Sequence, residues 1–267
     1  MDMIEPRNSV TAARRADAAS LTVLARPLRI TAGLVRLFLW RCADTYLRFR
    51  LSAADVRDLL AERRIDVSRQ TVADWAQKFS VLLAEAGRRY AKRVSKRWYV
   101  DETYLRIGKR WAYLYRAVDD AGQVVDVLLR EKRDVESAKA FFDQAIKRRS
   151  VVPDKVVTDK HRAYLRAVKQ HAPDAKHRRT GLHRKQALTT EPIERSHVLI
   201  KDRVRPMRGL GSVVTGQHLL EGIELAQAVK RGAVHLPDRD EASSVHERVR
   251  LGVATFSWLA SGLQTAA

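Results

Sequence analysis

The sequence predicts an α/β domain that follows an all-helical region, with the boundary near residue 95. Two observations support this division of the 267 residues. From Trp98 onward, stretches of alternating apolar and polar side chains have the period of two that is typical of strands. Before that point, apolar side chains recur every three or four residues, which is the helical period. We therefore expect a helical region at residues 19–95, an α/β domain at 96–235 and a helical tail at 236–267.

The helical region contains two short helices joined by a tight turn between residues 52 and 79. Ser52 and Asp55 form a capping box at the first helix, and Ser68 is the expected N-cap of the second. The apolar face of the second helix is formed by Val72, Trp75, Ala76 and Phe79. Its opposite face carries Arg69, Gln70, Thr71, Asp74 and Lys78. Side chains of these types bond base edges and phosphates from a helix in the major groove. The pattern predicts a helix-turn-helix that binds DNA, although an ordinary helical hairpin would show the same periodicity.

The segments that flank these helices are less patterned. Residues 1–18 are expected to form a loose arm. The apolar stretch from Leu21 to Trp40 is interrupted by Arg26, Pro27, Arg29 and Arg36, so it predicts neither a signal peptide nor a membrane span. Residues 87–97 form a basic connector that includes Lys92 and Arg93, and it is either a solvated linker or a phosphate contact.

The α/β domain begins with three predicted antiparallel strands, WYVDETYLRI, WAYLYRAVD and VVDVLLRE, with turns at Gly108 and at DDAGQ. A helix over about 135–147, a short strand VVT and a further helix through Tyr164 follow. This β-β-β-α-β-α order places Asp101 on the first strand and Asp159 at the end of the fourth. If these strands are adjacent, the two aspartates lie close together.

The charge of the chain favours a nucleic-acid partner. Lysine and arginine number 51 against 31 aspartates and glutamates, which gives a net charge of +20. Such an excess favours a polyanion, and DNA or RNA fits better than an anionic membrane surface. Cys42 is the only cysteine, which excludes an intrachain disulfide framework and a thiolate zinc site, and which suits a reducing cytoplasm. The scattered histidines do not have metal-ligand spacing.

Three carboxylates are the candidate metal ligands. Asp101 and Asp159 need a third partner, and Glu102, Glu191 and Glu194 are available. Glu102 follows Asp101 in a strand, so its side chain is expected on the opposite face. Glu191 precedes Pro192 and is expected at the cap of a helix, whereas Glu194 lies within the first turn. Carboxylate clusters of this kind suit a pair of Mg²⁺ ions that assist phosphoryl transfer.

Lys201 follows Glu194 by seven residues and therefore returns to the same face of the predicted helix. Glu194 could hold metal there while Lys201 contacts a DNA phosphate. An ordinary surface charge pattern would give the same spacing.

Taken together, these residues resemble the DDE transposases with a ribonuclease-H-like fold. The segments VDETYLRIGKRWAYLYRAVD, TDKHRAY and IERSHVLIKDRVRPMRGL are similar to insertion-sequence family six, over about residues 35–230. The resemblance implies a mixed five-stranded sheet flanked by helices. It implies that Asp101, Asp159 and Glu194 bind two Mg²⁺ ions, for which Mn²⁺ can substitute. It also implies that Lys201 is the basic residue that follows the catalytic glutamate. We further expect DNA contacts at Lys160 and Arg203.

The resemblance implies a reaction as well. Hydrolysis at the ends of an insertion sequence would expose a 3′-hydroxyl, which would then attack target DNA. The partners would be double-stranded DNA, both terminal inverted repeats and target, and a second copy of the chain or a higher oligomer. We expect a cytoplasmic, nucleoid-associated protein with no membrane partner. A DNA-binding regulator derived from a transposase and a ribonuclease-H-like nuclease are the alternatives.

The sequence departs from the family pattern just before the catalytic glutamate. Family members carry paired asparagines where this chain has Leu188, Thr189, Thr190 and Glu191. Ser196 stands where an aspartate is usual before His197. All three implied metal ligands are nevertheless present. In the tail, the spacing of Val249, Val253, Phe256, Leu259 and Leu263 predicts one amphipathic helix, which either packs on the catalytic core or forms a contact between subunits.

Overall fold

The computed structural model describes residues 42–179, 191–207 and 210–234, with the backbone alone at residues 191, 192, 194 and 195. The predicted arm at residues 1–18, the apolar stretch from Leu21 to Trp40 and the predicted tail at 236–267 lie outside these ranges. Among the helices of the described ranges, none combines the length and apolar character that a membrane crossing requires.

The helical region forms the predicted pair of helices. After a helical segment at residues 42–48 come α1 (Ala53–Ala61) and α2 (Arg69–Arg89). The capping box of Ser52 and Asp55 is confirmed, and the Ser68 hydroxyl accepts a hydrogen bond from the backbone N–H of Thr71. The predicted start of the basic connector is wrong, because Gly87, Arg88 and Arg89 continue α2. Gly87 is buried there against Leu225, and this tertiary contact supports a helix end that the local sequence does not predict.

A five-stranded mixed sheet forms the centre of the α/β domain. Its strands are β1 (Arg97–Ile107), β2 (Arg110–Asp119), β3 (Val124–Arg130), β4 (Lys155–Thr158) and β5 (Lys176–Arg179), in the spatial order β3-β2-β1-β4-β5. Strands β1 to β3 are antiparallel, while β4 runs parallel to β1 and β5 runs parallel to β4. A turn at Gly108, whose φ is +55°, joins β1 to β2. The three predicted antiparallel strands and the adjacency of the first and fourth strands are confirmed.

Helices cover both faces of the sheet. On one face, α3 (Val135–Arg149) and α4 (Arg162–His171) bury Phe141, Phe142 and Tyr164 against Trp98 and Val100. On the other face lie α5 (Glu191–Val204) and α6 (Val213–Lys230), separated by a short 3₁₀ turn, Arg205–Met207. The sheet order and the helices on both faces are those of a ribonuclease-H-like core, as the resemblance implies.

The helical region and the sheet share one hydrophobic cluster. Leu47, Val72 and Leu83 belong to the same buried group as Leu114 of β2 and Leu220 of α6. Helix α2 packs along α6, and the backbone N–H of Lys92 donates to the carbonyl of Ala233 at 2.9 Å. The segment that follows α2 is therefore attached to the end of α6. This attachment fixes the helical pair against the α5 and α6 side of the sheet.

Candidate active site

The end of β4 brings the two predicted aspartates together. Strand β4 pairs with β1 only at Arg97, Trp98 and Tyr99, so the edge of β1 that faces β4 extends past the end of β4, while the other edge stays paired with β2. Asp101 lies on this continuation, and Asp159 is the first residue after β4. Carboxylate oxygens of Asp101, Glu102 and Asp159 all lie within 4.8 Å of one another. The predicted convergence of Asp101 and Asp159 is confirmed.

We expected the side chain of Glu102 to point to the opposite face of the sheet from Asp101. This expectation is wrong for the end of the side chain, because the carboxylate of Glu102 belongs to the cluster. Strand alternation places Glu102 on the face of Trp98 and Val100, as predicted. However, β4 ends at Thr158 and therefore does not separate the two faces of the sheet at this edge. The carboxylate of Glu102 therefore lies beside that of Asp159. There it accepts a hydrogen bond from the Tyr164 hydroxyl and forms an ion pair with Arg133.

Arg133 lies in the loop between β3 and α3 and joins two of the three carboxylates. Besides Glu102, its guanidinium contacts Oδ2 of Asp159 at 3.1 Å. Nothing in the sequence around Arg133 predicts this role, because the residue is one of several cations in a loop. The pairing depends on the loop and on the end of β4 meeting in space.

Burial and neighbouring charge both act on Asp101. Desolvation of its side chain, followed by the nearby Glu102 and Asp159 carboxylates, raises the pKa of Asp101 to about 7. A carboxyl group in such surroundings gains from any cation that approaches it. Oxygen donors at this spacing match the preference of hard divalent ions such as Mg²⁺. The cluster, in a chain with this fold, indicates a divalent metal ion.

Helix α5 approaches the cluster through its first turns. Ile193 is buried with Tyr99 and Val157, and Nδ1 of His197 lies 3.7 Å from Oδ2 of Asp101. Burial, followed by the charges of Arg116 and Lys201, lowers the pKa of His197 to about 3, so its imidazole is neutral. Residue 194 lies between Ile193 and His197 on the same helix, and the structure describes only its backbone. Lys201 is exposed, with its Nζ 5.4 Å from the centre of the Tyr104 ring.

A buried ion pair lies behind Asp101. Arg116 is the cross-strand partner of Asp101 on β2, and its guanidinium lies 2.7 Å from a carboxylate oxygen of Glu224. Only 1% of the Arg116 side chain is exposed. The sequence contains a signal for this pair, because an arginine interrupts the apolar run WAYLYRAV of a central strand. The pair fixes β2 to α6 beneath the acidic cluster.

The predicted DNA-contact residues fall into two groups. The exposed side chains are Arg69, Gln70, Asp74, Lys78, Arg93 and Lys160, and those of Thr71 and Lys92 are half-buried. On α2, Gln70 donates a hydrogen bond to Asp74 at 2.7 Å. Arg203 differs, because it is buried and its guanidinium donates to the carbonyls of Tyr46 and Leu47 at 2.7 and 3.1 Å. The structure thus contradicts the predicted DNA contact by Arg203, which instead attaches α5 to the helical segment 42–48.

Comparison with known proteins identifies the family. A family model described as a DDE domain matches residues 95–233. The Staphylococcus aureus transposase for the insertion sequence-like element IS431mec is 35% identical over 184 residues, which are 69% of this chain and 80% of that protein. The Staphylococcus aureus transposase for the insertion sequence element IS257 in transposon Tn4003 is 34% identical, and its match covers the same fractions of the two chains.

Among solved structures, the HTLV-2 integrase catalytic core domain in complex with magnesium has a TM-score of 0.40 at 17% identity, over 60% of this chain and 99% of that chain. The matched segment of the family model contains the whole sheet, both aspartates and α5. The acidic cluster therefore lies within the segment that matches the family model. The chain belongs to insertion-sequence family six of the DDE transposases.

Proposed function

We propose that the chain cleaves DNA at the ends of an insertion sequence and transfers the exposed 3′-hydroxyl to target DNA. The observation that carries this proposal is the convergence of Asp101 and Asp159 at the end of β4, beside the first turns of α5. Family membership adds the substrate, because the Staphylococcus aureus relatives are transposases of insertion sequences.

The ligands that we propose are Asp101, Asp159 and Glu194, which would together hold two Mg²⁺ ions. Bound ions of this kind stabilise the charge that develops on the phosphoryl group and make water a better nucleophile. The oxygen donors of the cluster fit such ions, and the neighbouring carboxylates of Glu102 and Asp159 supply negative charge that a cation would offset. Glu102 is held by Tyr164 and Arg133, which leaves it as a second-rank candidate ligand.

The proposed reaction has two steps, and exposed lysines near the acidic cluster would contact the DNA phosphates. In the first step water attacks a phosphodiester, and the products are a 3′-hydroxyl and a 5′-phosphate. In the second step that hydroxyl attacks a phosphodiester of the target, so one bond forms as another breaks. Lys201 on α5 and Lys160 next to Asp159 are exposed close to the acidic residues, where their ammonium groups can contact phosphates. No covalent intermediate with the protein is required.

The helical pair would recognise the element ends. The exposed face of α2 carries Arg69, Gln70, Asp74 and Lys78, and the chain as a whole has a net charge of +20. Because two element ends take part in one event, we propose a dimer or a higher oligomer on DNA.

The first prediction tests the ligands with a labelled element end and a supercoiled plasmid. We expect Asp101→Asn, Asp159→Asn and Glu194→Gln each to lower cleavage and joining by about three decades or more, since several kcal/mol of transition-state stabilisation is lost. Binding to the DNA end should persist, because α2 lies elsewhere. Glu191→Gln is the matched control and should remain active.

Three outcomes would contradict this assignment. Loss of activity in Glu102→Gln together with joining by Glu194→Gln would make Glu102 the third ligand. Specific binding without cleavage in any divalent ion would indicate a regulator. Cleavage without joining would indicate a nuclease.

The second prediction separates sequence recognition from phosphate contact. We expect Arg69→Ala and Gln70→Ala to weaken binding to element ends by roughly 1–3 kcal/mol each, with little effect on random DNA. Lys92→Ala and Arg93→Ala should weaken binding to both and flatten its salt dependence. Titrations of both DNAs at several salt concentrations measure this, and equal losses for Arg69→Ala on the two DNAs would refute base recognition by α2.

A further inference from the structure

Two exposed aromatic side chains lie together near the tip of the β1–β2 hairpin. Tyr104 is 59% exposed and Trp111 is 61% exposed. Their ring centres are 5.8 Å apart, and the rings meet edge to face. Single exposed apolar side chains are common on protein surfaces, whereas two large exposed aromatic rings in contact form a patch that is typical of a binding surface.

The sheet itself explains why this pair is uncovered. Tyr104 pairs with Tyr113, and Arg106 pairs with Trp111, so the pair lies on the sheet face that α3 and α4 cover elsewhere. Those helices bury Tyr115 through Phe141 and Tyr164. Two residues further along β2, Tyr113 is only partly buried, and Trp111 lies beyond the helices. The hairpin therefore extends past the layer that covers its base.

Several cations lie on the same hairpin as the two rings or beside it. Lys201 of α5 places its Nζ 5.4 Å from the centre of the Tyr104 ring. Arg106, Lys109 and Arg110 of the same hairpin are exposed. The segment from Ile107 to Trp111 contains no acidic residue. This combination of aromatic faces and cations suits a ligand that has both flat rings and negative charge.

The pair is also close to the acidic cluster. Tyr104 follows Asp101 by three residues on β1, a distance of about 10 Å along a strand. Lys201 connects the pair to α5, the helix that carries residue 194 and contacts Asp101 through His197. A DNA strand whose phosphate lies at the acidic cluster would thus bring its neighbouring nucleotides to the hairpin.

We propose that Tyr104 and Trp111 form a stacking surface for a nucleobase that leaves the duplex next to the cleaved phosphate. Lys201 and the hairpin cations contact the phosphates on either side of that base. The proposal rests on the proposed function, because it concerns the same DNA. A nucleotide supplies both a π face and a phosphate, and every base can stack, so the surface is tolerant of sequence.

The test uses the full chain and duplexes that carry the terminal inverted repeat found beside its gene. In one series, each nucleotide near the cleavage site is replaced by an abasic one. We expect Trp111→Ala to weaken end binding by between about fivefold and about a hundredfold, the range for loss of one stacked base. One abasic position should weaken wild-type binding by the same factor and should have no further effect on Trp111→Ala.

Three further variants complete the design. Trp111→Phe keeps an aromatic face and should retain most of the binding, and Tyr104→Ala should lose part of it. Phe49→Ala removes a 51% exposed aromatic beside Arg48, outside the hairpin, and should bind like wild type. Thermal melting and circular dichroism of Trp111→Ala check that the variant is folded. We expect both to match wild type, because Trp111 is largely exposed.

Different results would refute the proposed function and the stacking surface. If wild type neither cuts nor joins element ends, the proposed function falls. If wild type is active and Trp111→Ala binds as tightly as wild type, the stacking surface is refuted. The stacking surface is also refuted if the abasic substitution weakens binding of Trp111→Ala as much as it weakens binding of wild type. The abasic effect would then arise from a contact other than the one with Trp111.

Discussion

Asp101 lies where burial and negative charge act in the same direction. Both raise its pKa to about 7, well above the ordinary value near 4. Between about pH 4 and about pH 7, the carboxyl group of Asp101 keeps its proton in the folded chain and has lost it in the unfolded chain. The folded state therefore loses stability as the pH rises from about 4 to about 7 in the absence of divalent ions.

The third prediction follows from this titration. Asp101→Asn cannot ionise, so its free energy of unfolding should exceed that of wild type by a margin that grows between pH 4 and pH 7. Urea unfolding at several pH values without divalent ions measures the margin. Asp174→Asn removes a carboxylate from an exposed position and should show no such trend. A margin that stays constant with pH would mean that Asp101 ionises normally in the folded chain.

At this scale, the sequence predicts positions better than contacts. Asp101 and Asp159 were predictable because strand periodicity and strand order determine where a strand ends. The position of the Glu102 carboxylate was not, because alternation assigns a face and says nothing about the edge of the sheet. Arg133 and Tyr164 come to this edge from separate loops and helices. Their contacts arise only when the domain is assembled.

Helices α2 and α6 approach each other through small residues. A Cβ added at Gly222 would lie 2.3 Å from Oγ of Ser80 and 2.7 Å from its Cβ, both in α2. Ser80 is fully buried and donates its hydroxyl to the carbonyl of Ala76 at 2.6 Å. The two helices therefore have no space for a methyl group at this crossing.

The fourth prediction concerns this crossing. Gly222→Ala should lower the free energy of unfolding by about 1–3 kcal/mol, because overpacking outweighs the better helix propensity of alanine. The double variant Ser80→Gly, Gly222→Ala moves the side-chain volume to the other helix and should recover part of the loss. A double-mutant cycle by chemical unfolding gives the coupling energy. Additive losses would mean that the helices separate instead of excluding the methyl group.

Element ends were predicted where a cap determines them. Ser52 and Ser68 begin α1 and α2 as their side chains require. The end of α2 was predicted too early, since residues 80–89 lack a strong apolar stripe. Their helix is supported by α6, more than a hundred residues later in the chain. No local pattern contains that information.

The hydrophobic cluster that spans the helical region and the sheet determines how the whole chain responds to damage. Leu83 of α2 is 1% exposed and belongs to the same cluster as Leu114 and Leu220. A cavity at Leu83 would therefore lie in the same hydrophobic cluster that packs against the sheet. The predicted boundary near residue 95 does not divide this cluster.

The fifth prediction uses that connection. Leu83→Ala should destabilise the chain by about 2–5 kcal/mol. Amide hydrogen exchange in β1 and β2 should accelerate by a matching free energy if both regions unfold together. Leu82→Ala, at a neighbouring position that is 36% exposed, should change exchange little. Protection in the sheet that is unaffected by Leu83→Ala would show that the helical pair unfolds independently.

Arg133 acts as a tethered counterion in an acidic site. Its guanidinium offsets part of the charge of Glu102 and Asp159. A divalent ion bound by Asp159 or Glu102 would compete with this arginine for their oxygens, which would weaken the contact between the β3–α3 loop and the end of β4. By reciprocity, whatever holds that loop in place weakens ion binding, and whatever draws it away strengthens ion binding. DNA that attracts Arg133 to a phosphate would therefore favour metal binding at the acidic cluster.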